Sequence, residues 1–188
     1  MNQLPILTEQ INQVFHELSD YYGNRILRTG WQGNDSWWPA NTAFELMLGA
    51  ILVQNTNWRN VVQALTNFGE NLFPEYVLSV SNEELAQVIR PAGFQNQKAK
   101  KLKALCKWFE TYHFDTEEVS IKSTKILRKE LLFINGVGNE TADAILVYVF
   151  NKTSFVIDAY TRRIFTRFGF DVPKSYDAFQ EMIENAIP

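Results

Sequence analysis

Residues 131 to 158 hold the groups best suited to chemistry. They read Leu131-Leu132-Phe133-Ile134-Asn135-Gly136-Val137-Gly138-Asn139-Glu140-Thr141-Ala142-Asp143-Ala144, then an apolar run to Phe150, then Val156-Ile157-Asp158. Two glycines one residue apart let the backbone take a positive φ and come very close to a neighbour, and Thr141 to Phe150 is helical in pattern. A hairpin that opens a helix presents amide N–H groups with no intrahelical partner, a ready site for one phosphate of a nucleic-acid backbone. On its own, Gly-Val-Gly is more often a plain turn between two helices. Two carboxylates frame this helix. Glu140 stands at its start, where negative charge meets the positive end of the helix dipole, and Asp158, just before Ala159, reads as the N-cap of the next helix. Among the aromatics, two adjacent tryptophans before a proline, Trp37-Trp38-Pro39, cannot both enter one core, so at least one faces a cleft. Phe94, between Gly93 and Gln95, has no helical partner pattern; it either stands out as a wedge or folds back onto the core.

The elements that must hold these groups are helical. Thr124 to Phe133 carries Ile126, Leu127, Leu131 and Leu132 at helical spacing, which makes the unit helix, hairpin, helix. Ile11, Val14, Phe15 and Leu18 mark a first helix with Thr8 as its N-cap. Leu102, Leu105, Cys106 and Phe109 mark another, and Tyr160, Ile164, Phe165 and Phe168, then Phe179, Met182, Ile183 and Ala186, follow the same period. Phe44 to Val53 is apolar nearly all round, the pattern of a helix buried on every side. Pro91 and Gly93 end a helix from Glu84 to Arg90. No alternating strand pattern runs beyond a few residues, and no repeat or low-complexity tract is present. The expected fold class is all-α.

Composition narrows the partners. A length of 188 residues suffices for one domain with a full core or for two small lobes. A net charge of −3 excludes binding to nucleic acid through global basicity, so any such contact must come from local patches. Lys98, Lys100, Lys101, Lys103 and Lys107 form one candidate patch and Arg162, Arg163 and Arg167 another, although taken by itself each run is more often a solvated helix face. The single Cys106 excludes an intrachain disulfide; on an apolar helical face it reads as a core thiol. His16 and His113 read as surface or core residues. No stretch reads as a signal peptide or a membrane span, so a cytoplasmic location is the expectation.

The helix-hairpin-helix unit with Asp158 beyond it resembles the DNA glycosylase superfamily that includes endonuclease III. Trp37-Trp38-Pro39, Leu48-Gly49-Ala50-Ile51-Leu52-Val53-Gln54-Asn55-Thr56 and Arg90-Pro91-Ala92-Gly93-Phe94-Gln95-Asn96-Gln97-Lys98-Ala99-Lys100 look like the type III 3-methyladenine DNA glycosylases within it. The likeness covers roughly residues 35 to 170. It implies a two-lobed fold with a DNA-binding cleft: a central six-helix lobe of about residues 41–150, and a second lobe from 1–40 with 151–188, in one glycosylase-like domain. It implies that Asp158 stabilises an oxocarbenium-like sugar and orients the attacking water. Bifunctional members carry a lysine two residues after the second hairpin glycine; here that position is Glu140, which cannot form an imine. The resemblance therefore implies a monofunctional glycosylase, with no lyase activity.

By the same resemblance, Trp37, Trp38, Pro39, Trp58 and Glu140 line the base pocket, where aromatic faces attract a positively charged methylated purine such as 3-methyladenine. Core packing is the competing reading for the tryptophans. Gln54 fills the stack vacated by the flipped base, Phe94 wedges into the opposite strand, and Asn96, Lys98, Gly136, Val137, Gly138 and Thr141 complete the DNA contacts. Relatives often hold an iron-sulfur cluster on four cysteines near the C-terminus, which one cysteine cannot ligate. No metal is expected, although hairpin carbonyls can hold a monovalent cation. Relatives usually continue with at least one more helix beyond Pro188. The implied partner is double-stranded DNA bearing a damaged base, bound by a monomer without a membrane. Two alternatives stay open: an endonuclease III-like glycosylase for another lesion, and a non-catalytic helix-hairpin-helix DNA-binding module.

Overall fold

Short polar residues set most of the helix starts. The computed structural model describes residues 3–22 and 40–187, with side chains from residue 8 onward, and every regular element among the described residues is helical. In chain order these are α1 (Gln3–Tyr22), α2 (Ala43–Leu52), α3 (Trp58–Thr66), α4 (Pro74–Ser79), α5 (Asn82–Val88), α6 (Gln95–Glu110), α7 (Thr116–Ser120), α8 (Thr124–Phe133), α9 (Asn139–Tyr148), α10 (Ala159–Arg167) and α11 (Tyr176–Glu184). Thr42, Asn57, Ser81, Asp115, Ser123, Asp158 and Ser175 each accept a hydrogen bond from a first-turn amide of the helix that follows. These bonds satisfy donors that the helix itself cannot. The starts of α6 and α9, at Phe94 and Gly138, have no such side-chain cap.

Three boundaries correct the sequence reading. Thr8 lies inside α1 and does not cap it, because Pro5 falls in the first turn, where a missing N–H costs nothing. The helix expected from Glu84 to Arg90 begins at Asn82 behind a Ser81–Glu84 capping box and gives way at Arg90 to a 3-10 turn that Pro91 can join. The hairpin helix starts at Asn139, two residues before Thr141.

Two apolar cores follow from these elements. The larger joins α2 through α9; in α2 every residue except Glu45 is buried, as its all-round apolar pattern requires. The smaller joins Ile11 of α1, Ile157, Phe165 of α10, and Phe179, Ile183 and Ala186 around α11. Only Phe165 of the α10 apolar set is buried; Tyr160, Ile164 and Phe168 are exposed. Polar links join the two cores. Arg128 of α8 bridges Asp143 of α9 and Asp177 of α11, and Asn139 also reaches Asp177.

Candidate active site

Glu140 and Tyr148 lie eight residues apart on α9, with Ala144 between them, so all three share one helical face. The chain then turns at Asn151 (φ +50°) and runs without regular structure to Asp158. There Asp158 caps α10: its Oδ1 accepts from the Thr161 amide at 2.7 Å and from Thr161 Oγ1 at 2.8 Å. Its Oδ2 has no hydrogen-bond partner among the described residues, so the capping role leaves one carboxylate oxygen for other work. Asp158 lies close enough to act on the α9 face. Desolvation, and then the Asp158 charge, hold the Glu140 carboxyl above its ordinary range although its side chain reaches solvent, and the same two causes raise the Tyr148 phenol. Glu140 and Tyr148 thus both lie within reach of the Asp158 charge. Sequence reading missed Tyr148 because it sits inside an apolar run; its spacing of eight from Glu140 was the available signal.

The segment that delivers Asp158 is clamped on both sides. Asp143, wholly buried, takes a two-pronged bond from Arg128 at 2.8 and 3.0 Å and one from Ser154 Oγ at 2.9 Å. Gln180 of α11 donates to Asp143, to Ser154 Oγ and to the Phe155 carbonyl at 2.7 Å. Glu184 accepts from the Phe155 amide, and the Tyr176 hydroxyl accepts from Ile157. A buried carboxylate must be paired in this way. Sequence reading gave Asp143 no role, although a lone acid amid Ala142, Ala144 and Ile145 was a signal of such a pair.

Of the hairpin residues, Gly136 takes φ +89°, whereas Gly138 is ordinary extended backbone, and a Cβ on Gly138 would meet nothing within 4 Å. The second glycine is therefore demanded neither by φ nor by an intramolecular contact. Val137 buries its side chain in the large core and offers only backbone. The Thr141 side chain is also buried, its hydroxyl accepting from Gln54 Nε2 at 3.0 Å. Phe94 is 60% exposed, in the left-handed region (φ +48°) after Gly93 (φ +71°), so it stands out as a wedge would and does not fold onto the core. Asn96, in the first turn of α6, is exposed.

Lys98 corrects an expectation. It is 2% exposed, and its ammonium donates to the carbonyls of Leu52 and Ala92, both at 2.8 Å, so it joins the Gln54 and Phe94 loops and does not reach a phosphate. Burial, and then the Lys101 charge, bring its pKa down to about 8. Lys103 likewise caps carbonyls at the end of α4, and Arg162 binds the Pro173 and Lys174 carbonyls. From the lysine run, Lys100 and Lys107 remain exposed. Cys106 is a core thiol, pushed up to about 12 by burial and the Glu75 charge. No group of metal-ligating side chains occurs among the described residues. Trp58 is half-buried and lies across Gly49, where a Cβ would stand 3.0 Å from its ring. Its packing on the large core is thereby visible, and Trp37, Trp38 and Pro39 lie outside the described residues.

A family model for the HhH-GPD superfamily base excision DNA repair protein matches residues 48–188. A Methanocaldococcus jannaschii protein named "Putative DNA repair glycosylase" is 45% identical over 185 residues, spanning 96% of this chain and 80% of that protein. The crystal structure of the Helicobacter pylori 3-methyladenine DNA glycosylase MagIII, bound to 1,N6-ethenoadenine, superposes with a TM-score of 0.72 at 28% identity, covering 99% of this chain and 82% of that one. A non-covalent endonuclease III–DNA complex superposes with a TM-score of 0.76 at 22% identity, over 96% and 78% of the two chains, which bears on the fold.

Proposed function

Because the chain belongs to the HhH-GPD superfamily of base excision DNA repair proteins, we propose that it is a monofunctional DNA glycosylase that removes alkylated purines such as 3-methyladenine from duplex DNA. The observation that carries the reading is the Asp158 carboxylate, held by the Thr161 amide and hydroxyl on one oxygen only, with its charge reaching Glu140 of the hairpin helix. Asp158 holds its position through Oδ1 and keeps Oδ2 for a sugar that becomes cation-like as the base leaves. Glu140 occupies the hairpin position from which a lysine would attack that sugar, and a carboxylate cannot form the imine that leads to strand cleavage. A purine already positively charged leaves readily, so the pair needs no strong general acid beside it.

Binding follows from the backbone. The uncapped start of α9, behind the unobstructed Gly138, offers amide donors to a phosphate, and the exposed Phe94 supplies an aromatic wedge. One likeness supports the ligand class: MagIII, a 3-methyladenine DNA glycosylase, was solved with a modified adenine.

The test is single-turnover base release from duplexes that each carry one defined lesion. Release of 3-methyladenine without strand cleavage, and without a borohydride-trapped adduct, is the expected outcome. Asp158→Asn, which can still cap α10, should retain DNA affinity and lose excision by about a hundredfold or more, in the range seen when one group that stabilises transition-state charge is removed. Efficient trapping of the unmodified protein would end the monofunctional reading, and near-normal turnover of the variant would remove Asp158 from the chemistry.

A further inference from the structure

Gln54 is held on both ends of its carboxamide. Its Nε2 donates to the Gly136 carbonyl at 3.1 Å and to Thr141 Oγ1 at 3.0 Å, while its Oε1 accepts from Lys101 Nζ at 2.6 Å. The orientation is determined by these partners: reversing the amide would set oxygen against a carbonyl and nitrogen against an ammonium. Lys101 reaches Gln54 by lying across the hairpin. Its Cγ, Cδ and Cε pass 2.2, 2.5 and 2.7 Å from the point where a Cβ on Gly136 would stand, so only glycine admits the stem. One lysine of α6 thereby joins the turn after α2 to the hairpin between α8 and α9. The backbone beside Gln54 is fixed separately, by the bond from Lys98 to the Leu52 carbonyl and by Asn55 in the left-handed region at φ +56°.

We propose that Lys101 is a positioning residue for Gln54: by seating the Gln54 amide on the hairpin, it readies that side chain to fill the stack when a base is rotated out. The inference rests on the glycosylase reading and on Gln54 as the filling residue. Lys101 acts here without touching DNA. Its ammonium is engaged by Oε1, and its stem lies on Gly136, so its contribution passes through Gln54. A long, mobile glutamine would otherwise have to be ordered at the moment of base rotation, and pre-ordering it removes that entropy from the step.

The test uses the full chain and four variants: Lys101→Met, which keeps the stem and removes the donor; Lys101→Arg, which restores donors; Gln54→Ala; and the Lys101→Met, Gln54→Ala double. In the free protein, the side-chain amide protons of Gln54 should exchange slowly in wild type and in Lys101→Arg, and faster in Lys101→Met. With a duplex carrying a tetrahydrofuran abasic analogue, Lys101→Met should lose on the order of tenfold of the preference over undamaged duplex, as expected for loss of one charge-assisted bond. Affinity for undamaged duplex and its salt dependence should not change. Lys101→Arg should recover most of the loss, and the double variant should be no worse than Gln54→Ala alone. Additive losses, or a shallower salt dependence in Lys101→Met, would make Lys101 a phosphate contact and overturn the proposal. A wild type that does not distinguish the abasic duplex would instead overturn the glycosylase reading, and the proposal with it; a wild type that does, matched by Lys101→Met, would overturn the proposal alone.

Discussion

Glu140 resists ionisation in the folded chain, because desolvation and the neighbouring Asp158 both raise its carboxyl. In the unfolded chain it titrates at its ordinary 4.5. Below that value both states are protonated and the group contributes nothing to the pH dependence. As pH rises through the window between 4.5 and the raised folded value, the unfolded state releases its proton first, and stability falls. Glu140→Gln removes that loss. We expect the variant to have a higher urea midpoint than wild type at pH 7 and the same midpoint below about pH 4.5; a difference independent of pH would show that packing, not charge, separates the two proteins. The candidate site residues divide on how local their signals are. Asp158 and Glu140 were legible because acids at a helix start announce themselves. Tyr148 was hidden in an apolar run, and Lys98 looked like a surface cation, since a sequence does not display which carbonyls a side chain will meet.

At the scale of the element, the hairpin assigns different work to its two glycines. Gly136 needs its missing Cβ twice, for φ +89° and for the stem of Lys101. Gly136→Ala should therefore destabilise the fold by about 1–3 kcal/mol and displace Lys101. Gly138 has an allowed extended backbone and open space around it, so alanine there should change stability by no more than about 1 kcal/mol in either direction. On the proposed reading, its methyl would stand where a phosphate approaches, and DNA affinity should drop. Denaturation and DNA titration of both variants check the pair; unchanged affinity in Gly138→Ala would take the hairpin out of the DNA contact. The helices themselves were largely readable. Apolar spacing located α2, α8 and α9, and Asp158 capped α10 as expected, because such signals are local. Boundaries slipped where a second local rule intervened, as with Pro5 in the first turn of α1 and the capping box at Ser81.

At the scale of the molecule, Asp143 links the core of α2–α9 to the core around α11, through Arg128 on one side and Gln180 and Ser154 on the other. Removing Asp143 takes the shared acceptor from the Gln180 and Ser154 donors and leaves Arg128 only its exposed partner Asp177, so Asp143→Ala should lower stability by about 1–3 kcal/mol. It should also reduce excision, since the clamped segment carries Asp158. Urea denaturation with single-turnover kinetics checks both, and a stability loss under about 1 kcal/mol, no more than an exposed pair is worth, would show that the link is dispensable. The sequence by itself determined the all-helical class, the helix-hairpin-helix unit and the two acidic positions, because helical periodicity, caps and glycine turns act over a few residues. The tertiary structure alone decided that Lys98 turns inward, that Lys101 holds Gln54 on the hairpin, and that Asp143 secures the approach to Asp158. Those outcomes depend on contacts between residues far apart in the chain, where the partner of a buried polar group is set by which helices pack together and not by its neighbours in sequence.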